Sequence, residues 1–199
     1  MIERRLESLK SEVLEMHELA KRSVEICLEG LKGDEEKRKE SARIEQMADV
    51  LNTDLDFNCV TAIALFQPVA RDLRFIISMM KISSSYERIT DLAQEIAMYE
   101  CSDDALLKIF EKIRENLLKM FEVIERGYEG ETENLRKELL KLDDQVDRCY
   151  VEAMEYLANA QCSVDMILVA RHLERIGDLL GKIGARIIFI EEGRRVWIK

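Results

Sequence analysis

A single proline and eight glycines interrupt 199 residues, too few breakers for turn-rich β structure. Aromatic side chains are also scarce, at 6%, so the core must be mainly aliphatic. Apolar runs such as Cys59–Phe66 and Met166–Ala170 fall far short of the roughly 18 residues a membrane span needs. The opening Met1-Ile2-Glu3-Arg4-Arg5 lacks the apolar stretch of a signal peptide. Positive charge is in deficit: 30 basic against 40 acidic residues leave a net charge of −10, with no basic stripe, which excludes nucleic acid as a partner. The five cysteines (Cys27, Cys59, Cys101, Cys149 and Cys162) are scattered, odd in number and without a C-x-x-C. They read as small buried hydrophobes in a reducing compartment, not as a disulfide or zinc framework. No nucleophile–base set, phosphate loop or dinucleotide fingerprint occurs, so no enzyme is expected. These absences describe a cytoplasmic, all-α protein with no membrane insertion.

What is present supports that class. With 47% apolar and 35% charged residues, the chain can bury a sizeable core and is not disordered. Breakers divide it into six helical stretches. Helix 1 is expected from about Ile2 to Leu28, stopping at Gly30-Leu31-Lys32-Gly33. Helix 2 starts with Asp34 as N-cap and reaches Phe66; helix 3 begins at Pro68, at home in a first turn, and runs to about Tyr99. Ser102-Asp103-Asp104 opens helix 4, which ends at Gly127-Tyr128-Glu129-Gly130. Helix 5 covers roughly Glu131 to Asn159, and helix 6 runs from a Ser163 cap to about Glu191. Gly30/Gly33 recur 97 residues later as Gly127/Gly130, and Tyr86–Asp91 recurs 87 residues later as Leu173–Asp178. Self-similarity at this spacing predicts two antiparallel three-helix bundles, residues 1–101 and 102–199, related by a pseudo-twofold. Stripes at Ile82, Tyr86, Ile89, Ala93 and Ile96, and at Val169, Leu173, Ile176, Leu180, Ile183 and Ile187, are expected to form the bundle cores.

An acidic-x-x-x-Asp pattern occurs five times. Glu100/Asp104 straddles the junction of the repeats and reads as accidental. The other four pairs, Glu45/Asp49, Glu87/Asp91, Asp143/Asp147 and Glu174/Asp178, lie inside helices 2, 3, 5 and 6. Residues i and i+4 project from one side of a helix, so each pair is a two-carboxylate claw. Asp49 lies 18 residues before Gln67 and Glu87 lies 19 after Pro68; Asp147 and Glu174 lie 14 before and 13 after Gln161. Equal arms bring facing claws to the same height in each hairpin. Every claw begins one residue, about 100° of rotation, after an apolar-stripe position, which places it beside the core. Asn52 and Asp56 extend the claw on helix 2, whereas Met154 matches Asp56 on helix 5. Converging carboxylates repel one another, and a cation offsets the cost. Oxygen-only donors suit Mg²⁺, Ca²⁺ or Mn²⁺, and bridging carboxylates suit oxidised iron. The bland alternative is a solvated face in which the acids pair with Arg88 or Arg175, residues that otherwise steady the claws or bind an anion. His17 and His172, without partners at ligand spacing, are expected at the surface or its boundary. Gly177, Gly181 and Gly184 inside helix 6 call for close helix approach or room for a ligand.

The segments Gln67-Pro68-Val69-Ala70-Arg71-Asp72-Leu73-Arg74 and Ala170-Arg171-His172-Leu173-Glu174-Arg175-Ile176-Gly177-Asp178 resemble signatures of the PhoU family of phosphate-signalling proteins. Tyr86–Asp91 is similar to the matching first-half segment, with Thr90 where the family usually has Gly. The resemblance covers almost the whole chain. It implies two three-helix bundles and a multinuclear metal cluster, with iron or zinc foremost and Mn or Mg as alternatives. The ligands so implied are Glu45, Asp49, Glu87 and Asp91 in one repeat, and Asp143, Asp147, Glu174 and Asp178 in the other. It also implies a homodimer that links the ATPase subunit of a phosphate ABC transporter to a sensor histidine kinase. A chain of charge −10 does not bind free phosphate by its overall field, so direct sensing would need a metal or a local arginine. Two other readings stand beside this one. A ferritin-like di-iron protein requires Glu-x-x-His, which the chain lacks; a metal-free structural module requires only solvated acidic faces.

Overall fold

The computed structural model describes residues 2–159, 164–194 and 196–198; Gln161, Cys162 and Ser163, the expected turn centre and cap, lie outside them. Its helices are α1 (Ile2–Leu31), α2 (Glu35–Phe66), α3 (Ala70–Met98), α4 (Asp104–Tyr128), α5 (Leu135–Asn159) and α6 (Val164–Glu192). Local chemistry sets the ends. Asp34 accepts from the backbone N–H groups of Glu36 and Lys37, and Asp103 does the same for Ala105 and Leu106. The paired glycines divide the labour in both repeats. Gly30 and Gly127 stay inside their helices because neighbours press on them: a Cβ at Gly30 would stand 2.7 Å from Ala97 Cβ, and one at Gly127 would stand 2.2 Å from Leu135 Cδ1. Gly33 and Gly130, at φ +98° and +99°, make the left-handed turns that end α1 and α4. Helix 1 therefore outruns its expected end by three residues. Helix 3 starts two residues later than expected, since Gln67 at φ 45° and Ala70 at φ 46° leave Pro68 in the connection, outside the first turn. Helix 5 starts at Leu135, four residues late, after a turn in which Thr132 N–H donates to Gly130 O and Leu135 N–H to Thr132 O.

Helices α1–α3 pack mutually as one three-helix bundle and α4–α6 as a second; α1 meets α4 and α3 meets α6 across the junction. Two of the three equivalent helix pairs, α1 with α4 and α3 with α6, thus meet across the junction, in keeping with a pseudo-twofold. Arg38 ties the first bundle's ends together, donating to the carbonyls of Gly30, Ala97 and Tyr99 at 3.0 Å each. The apolar stripes of α3 and α6 are buried throughout, in a core shared by both bundles. No described helix is long and apolar enough to cross a membrane.

Both histidines are core residues, contrary to the sequence expectation. His17 Nδ1 lies 2.8 Å from Tyr86 Oη, which is 3.1 Å from Tyr128 Oη, and the His17 ring packs edge-on against Tyr86, Phe121 and Tyr128. Burial, aided by Lys21, lowers its pKa to about 4, so the ring is neutral near pH 7. Its place on the buried stripe Val13, His17, Ala20 and Val24 is the signal that marked it as internal.

Candidate carboxylate site and related proteins

In the first repeat, α2 and α3 bring Glu45, Asp49, Glu87 and Asp91 together, as the equal-arm argument requires. Burial raises the pKa of Glu45, and the charges of Asp91 and Asp49 raise it further. Glu87 is raised by burial, then by Asp91 and Asp49, with Glu45 adding to them and Arg88 opposing. Four carboxylates on two helices therefore act on one another. Arg88 bonds Asp91 within its own claw, a pairing expected both of a steadying residue and of a plain solvated salt bridge. Asn52 is spent on the scaffold, accepting from Ser83 Oγ at 2.7 Å. Asp56 lies two turns further along α2 and is not among the charges acting on Glu45 or Glu87; the residue lines a cavity together with Asp178, and its Oδ1 is buried without a hydrogen-bond partner.

The second repeat is tighter. Asp143 and Glu174 are buried, whereas Asp147 and Asp178 are partly exposed. Gly177 lets α5 approach: a Cβ there would meet Val146 Cγ1 at 3.3 Å and Asp143 Oδ1 at 3.7 Å. Glu174 pairs with Arg171 at 3.0 Å, while Arg175 stands exposed. His172 joins the repeats, its Nε2 standing 3.0 Å from Glu95 on α3. Burial lowers the pKa of this ring; Glu95 and Asp91 oppose, Arg175 and Arg88 assist. Both arginines are therefore near enough to His172 to act on it. Among the described residues, no three His, Cys, Asp or Glu side chains are gathered tightly enough to form a ready metal cage.

The three glycines of α6 have a local explanation. A Cβ at Gly184 would stand 2.1 Å from Leu139 Cδ1, and one at Gly181 would stand 3.2 Å from the carbonyl oxygen of Ile198. The C-terminal segment thus folds back onto α6 and occupies the space those glycines leave.

Known proteins share this architecture of two copies of one helical unit. The family model for the PhoU domain matches residues 13–99 and again 109–187. The chain belongs to the PhoU family. It is 52% identical over 197 residues to a phosphate-specific transport system accessory protein PhoU homolog of Archaeoglobus fulgidus, covering 99% of this chain and 98% of that one. A PhoU homolog of Thermotoga maritima is 28% identical, with 98% and 90% covered. The crystal structure of PhoU from Pseudomonas aeruginosa superposes with a TM-score of 0.86 at 25% identity, covering 98% of this chain and all of that one. PhoU from Streptococcus pneumoniae shares the fold, with a TM-score of 0.70 at 21% identity over 98% and 99% of the two chains.

Proposed function

We propose that this PhoU protein is a cytoplasmic, non-catalytic accessory regulator of phosphate uptake that acts on the ATPase subunit of a phosphate ABC transporter. The observation that carries this reading is the 52% identity, end to end, with a protein named as an accessory of the phosphate-specific transport system. A sensor histidine kinase is the second partner under this reading, and a homodimer is the working form. The exposed apolar residues Met47, Val50, Phe57 and Leu65 on α2 support an interface of this kind.

The same reading includes metal. Glu45, Asp49, Glu87 and Asp91 would hold one cluster, and Asp143, Asp147, Glu174 and Asp178 a second. The donor chemistry fits: all eight donors are carboxylates, and burial, reinforced by neighbouring carboxylates, disfavours ionisation of Glu45 and Glu87. Bound cations supply positive charge that relieves this repulsion and ties facing helices together. Arg88 holds Asp91 in place, and Arg171 holds Glu174.

Affinity capture of the tagged, intact protein from its host's extract tests the regulatory role. Recovery of the phosphate-transporter ATPase is expected, and recovery of only unrelated proteins contradicts the proposal.

A further inference from the structure

Between α3, α6 and the C-terminal segment lies a half-open cavity of about 930 Å³. A neighbouring lobe of about 380 Å³ shares Ile77, Lys81, Arg186 and Phe189 with it and adds Arg74. Two helical stripes build these walls: Arg74, Ile77, Lys81 and Ser84 on α3, and Asp178, Lys182, Arg186 and Phe189 on α6. The third wall is the segment Val196-Trp197-Ile198. Ile198 anchors it against Gly181 and Gly184, and Arg136 donates to the carbonyl of Trp197 at 3.2 Å. The Trp197 indole stands 77% exposed at the edge of the cavity, free to stack on a ligand.

The charges here run against the rest of the molecule. Acids outnumber bases 40 to 30 in the chain, yet none of Arg74, Lys81, Lys182 and Arg186 forms an ion pair with a described carboxylate. Arg74 Nε is buried and has no hydrogen-bond partner. Arg186 sits 5.9 Å from the centroid of the Phe189 ring, so its charge is held against an apolar wall. Carboxylates are divided unevenly between the lobes: Asp56 and Asp178 line the larger, and none lines the smaller. The small lobe is thus a cationic pocket. The large one offers aromatic and aliphatic surface, with the carboxylates of Asp56 and Asp178 in its lining.

We propose that this groove binds a nucleoside phosphate. The phosphates sit on Arg74, Lys81 and Arg186, while Lys182 adds positive potential at the mouth. The base lies against Trp197 and Phe189, and a base amino group or ribose hydroxyl donates to Asp56. Inorganic phosphate alone uses only the small lobe and binds more weakly, because it forgoes the apolar walls. The volume suits a ligand of this size. The groove borders the second carboxylate set at Asp178, so the titration below is run without metal, and the proposal does not rest on the transporter role.

Trp197 is the only tryptophan, so its emission reports occupancy directly. The intact protein is titrated with ATP, AMP, tripolyphosphate and inorganic phosphate in EDTA, by calorimetry and by Trp197 fluorescence. Saturable ATP binding that weakens with salt is expected, with roughly tenfold loss in Lys81→Ala and in Arg186→Ala. Asp56→Asn should weaken ATP but not tripolyphosphate. Lys81 is exposed, so its variant keeps the fold, checked by an unchanged helical signal. Absence of saturable ATP binding up to about 1 mM overturns the proposal. So does binding indifferent to Lys81 and Arg186, or tripolyphosphate binding as tightly as ATP. An acidic amphipathic peptide binding where ATP does not would likewise overturn it, making the groove a protein-docking surface.

Discussion

In the first repeat the carboxylates of Glu45, Asp49, Glu87 and Asp91 stand on a half-open face, whereas in the second Asp143 and Glu174 are buried between α5 and α6. The difference traces to one helix. Where α3 carries Thr90, Gln94 and Ala97, α6 carries Gly177, Gly181 and Gly184 at the same offset of 87. Each glycine costs α6 about 1 kcal/mol of helix propensity relative to alanine. The return is close approach of Val146, Asp143 and Leu139 from α5, and a seat for Ile198. Both repeats thus carry the claws, while the glycines of α6 give the second one a seat for Ile198. The lesson is that an acidic-x-x-x-Asp motif fixes where carboxylates stand along a helix, and the glycine content of the neighbouring turns decides how dry they are.

The sharpest way to break this comparison is to fill the glycine face. Gly184→Leu should lose about 3 kcal/mol or more in urea unfolding, since Leu139, Leu135 and Ile198 already occupy that space. Gln94→Leu, at the partly exposed position on α3 that matches Gly181, should change stability by less than about 0.5 kcal/mol. Equal effects in the two variants would show that the repeats pack alike.

The two histidines offer the next contrast. The folded pKa of His17 lies near 4, below its unfolded value, so the unfolded chain binds the proton first as pH falls. Stability is intact above about pH 6.5 and declines towards pH 4, by on the order of 3 kcal/mol from this group. His17→Gln should remove that dependence in acid-unfolding curves. His172→Gln should remove less of it, because Glu95 opposes the effect of burial there. A His17 variant that retains the full acid dependence contradicts the dry setting assigned to this ring.

The smallest expected effect separates the claws themselves. Glu45 and Glu87 have raised folded pKa values, so their ionisation weakens the metal-free fold as pH climbs above the usual carboxylate range. Glu87→Gln should therefore stabilise metal-free protein at pH 7 by a few tenths of a kcal/mol. Glu174→Gln should not, because it gives up the pairing with Arg171. Thermal melts in EDTA would resolve the two signs.

Much of this was legible beforehand. Apolar period, scarce breakers and the repeated glycine pairs carry local information, and they placed six helices and two bundles. The facing claws of α2 and α3 followed from arm lengths alone. Other features depend on segments distant in sequence meeting in space. Pro68 was displaced from α3 because two left-handed residues flank the connection. His172 is expected at the surface or its boundary because its partner, Glu95, lies on the other repeat. The groove beside Trp197 needs α3, α6 and the chain's end to meet, and no window on one helix contains that.

Elemental analysis of natively purified protein tests most directly the proposal that the paired carboxylates of both repeats hold metal. Bound transition metal is expected, partly lost in Glu87→Gln/Asp91→Asn and partly lost in Glu174→Gln/Asp178→Asn, with the helical signal intact in both. Protein that carries no metal, and takes up none when offered iron, zinc, manganese or magnesium, would contradict it.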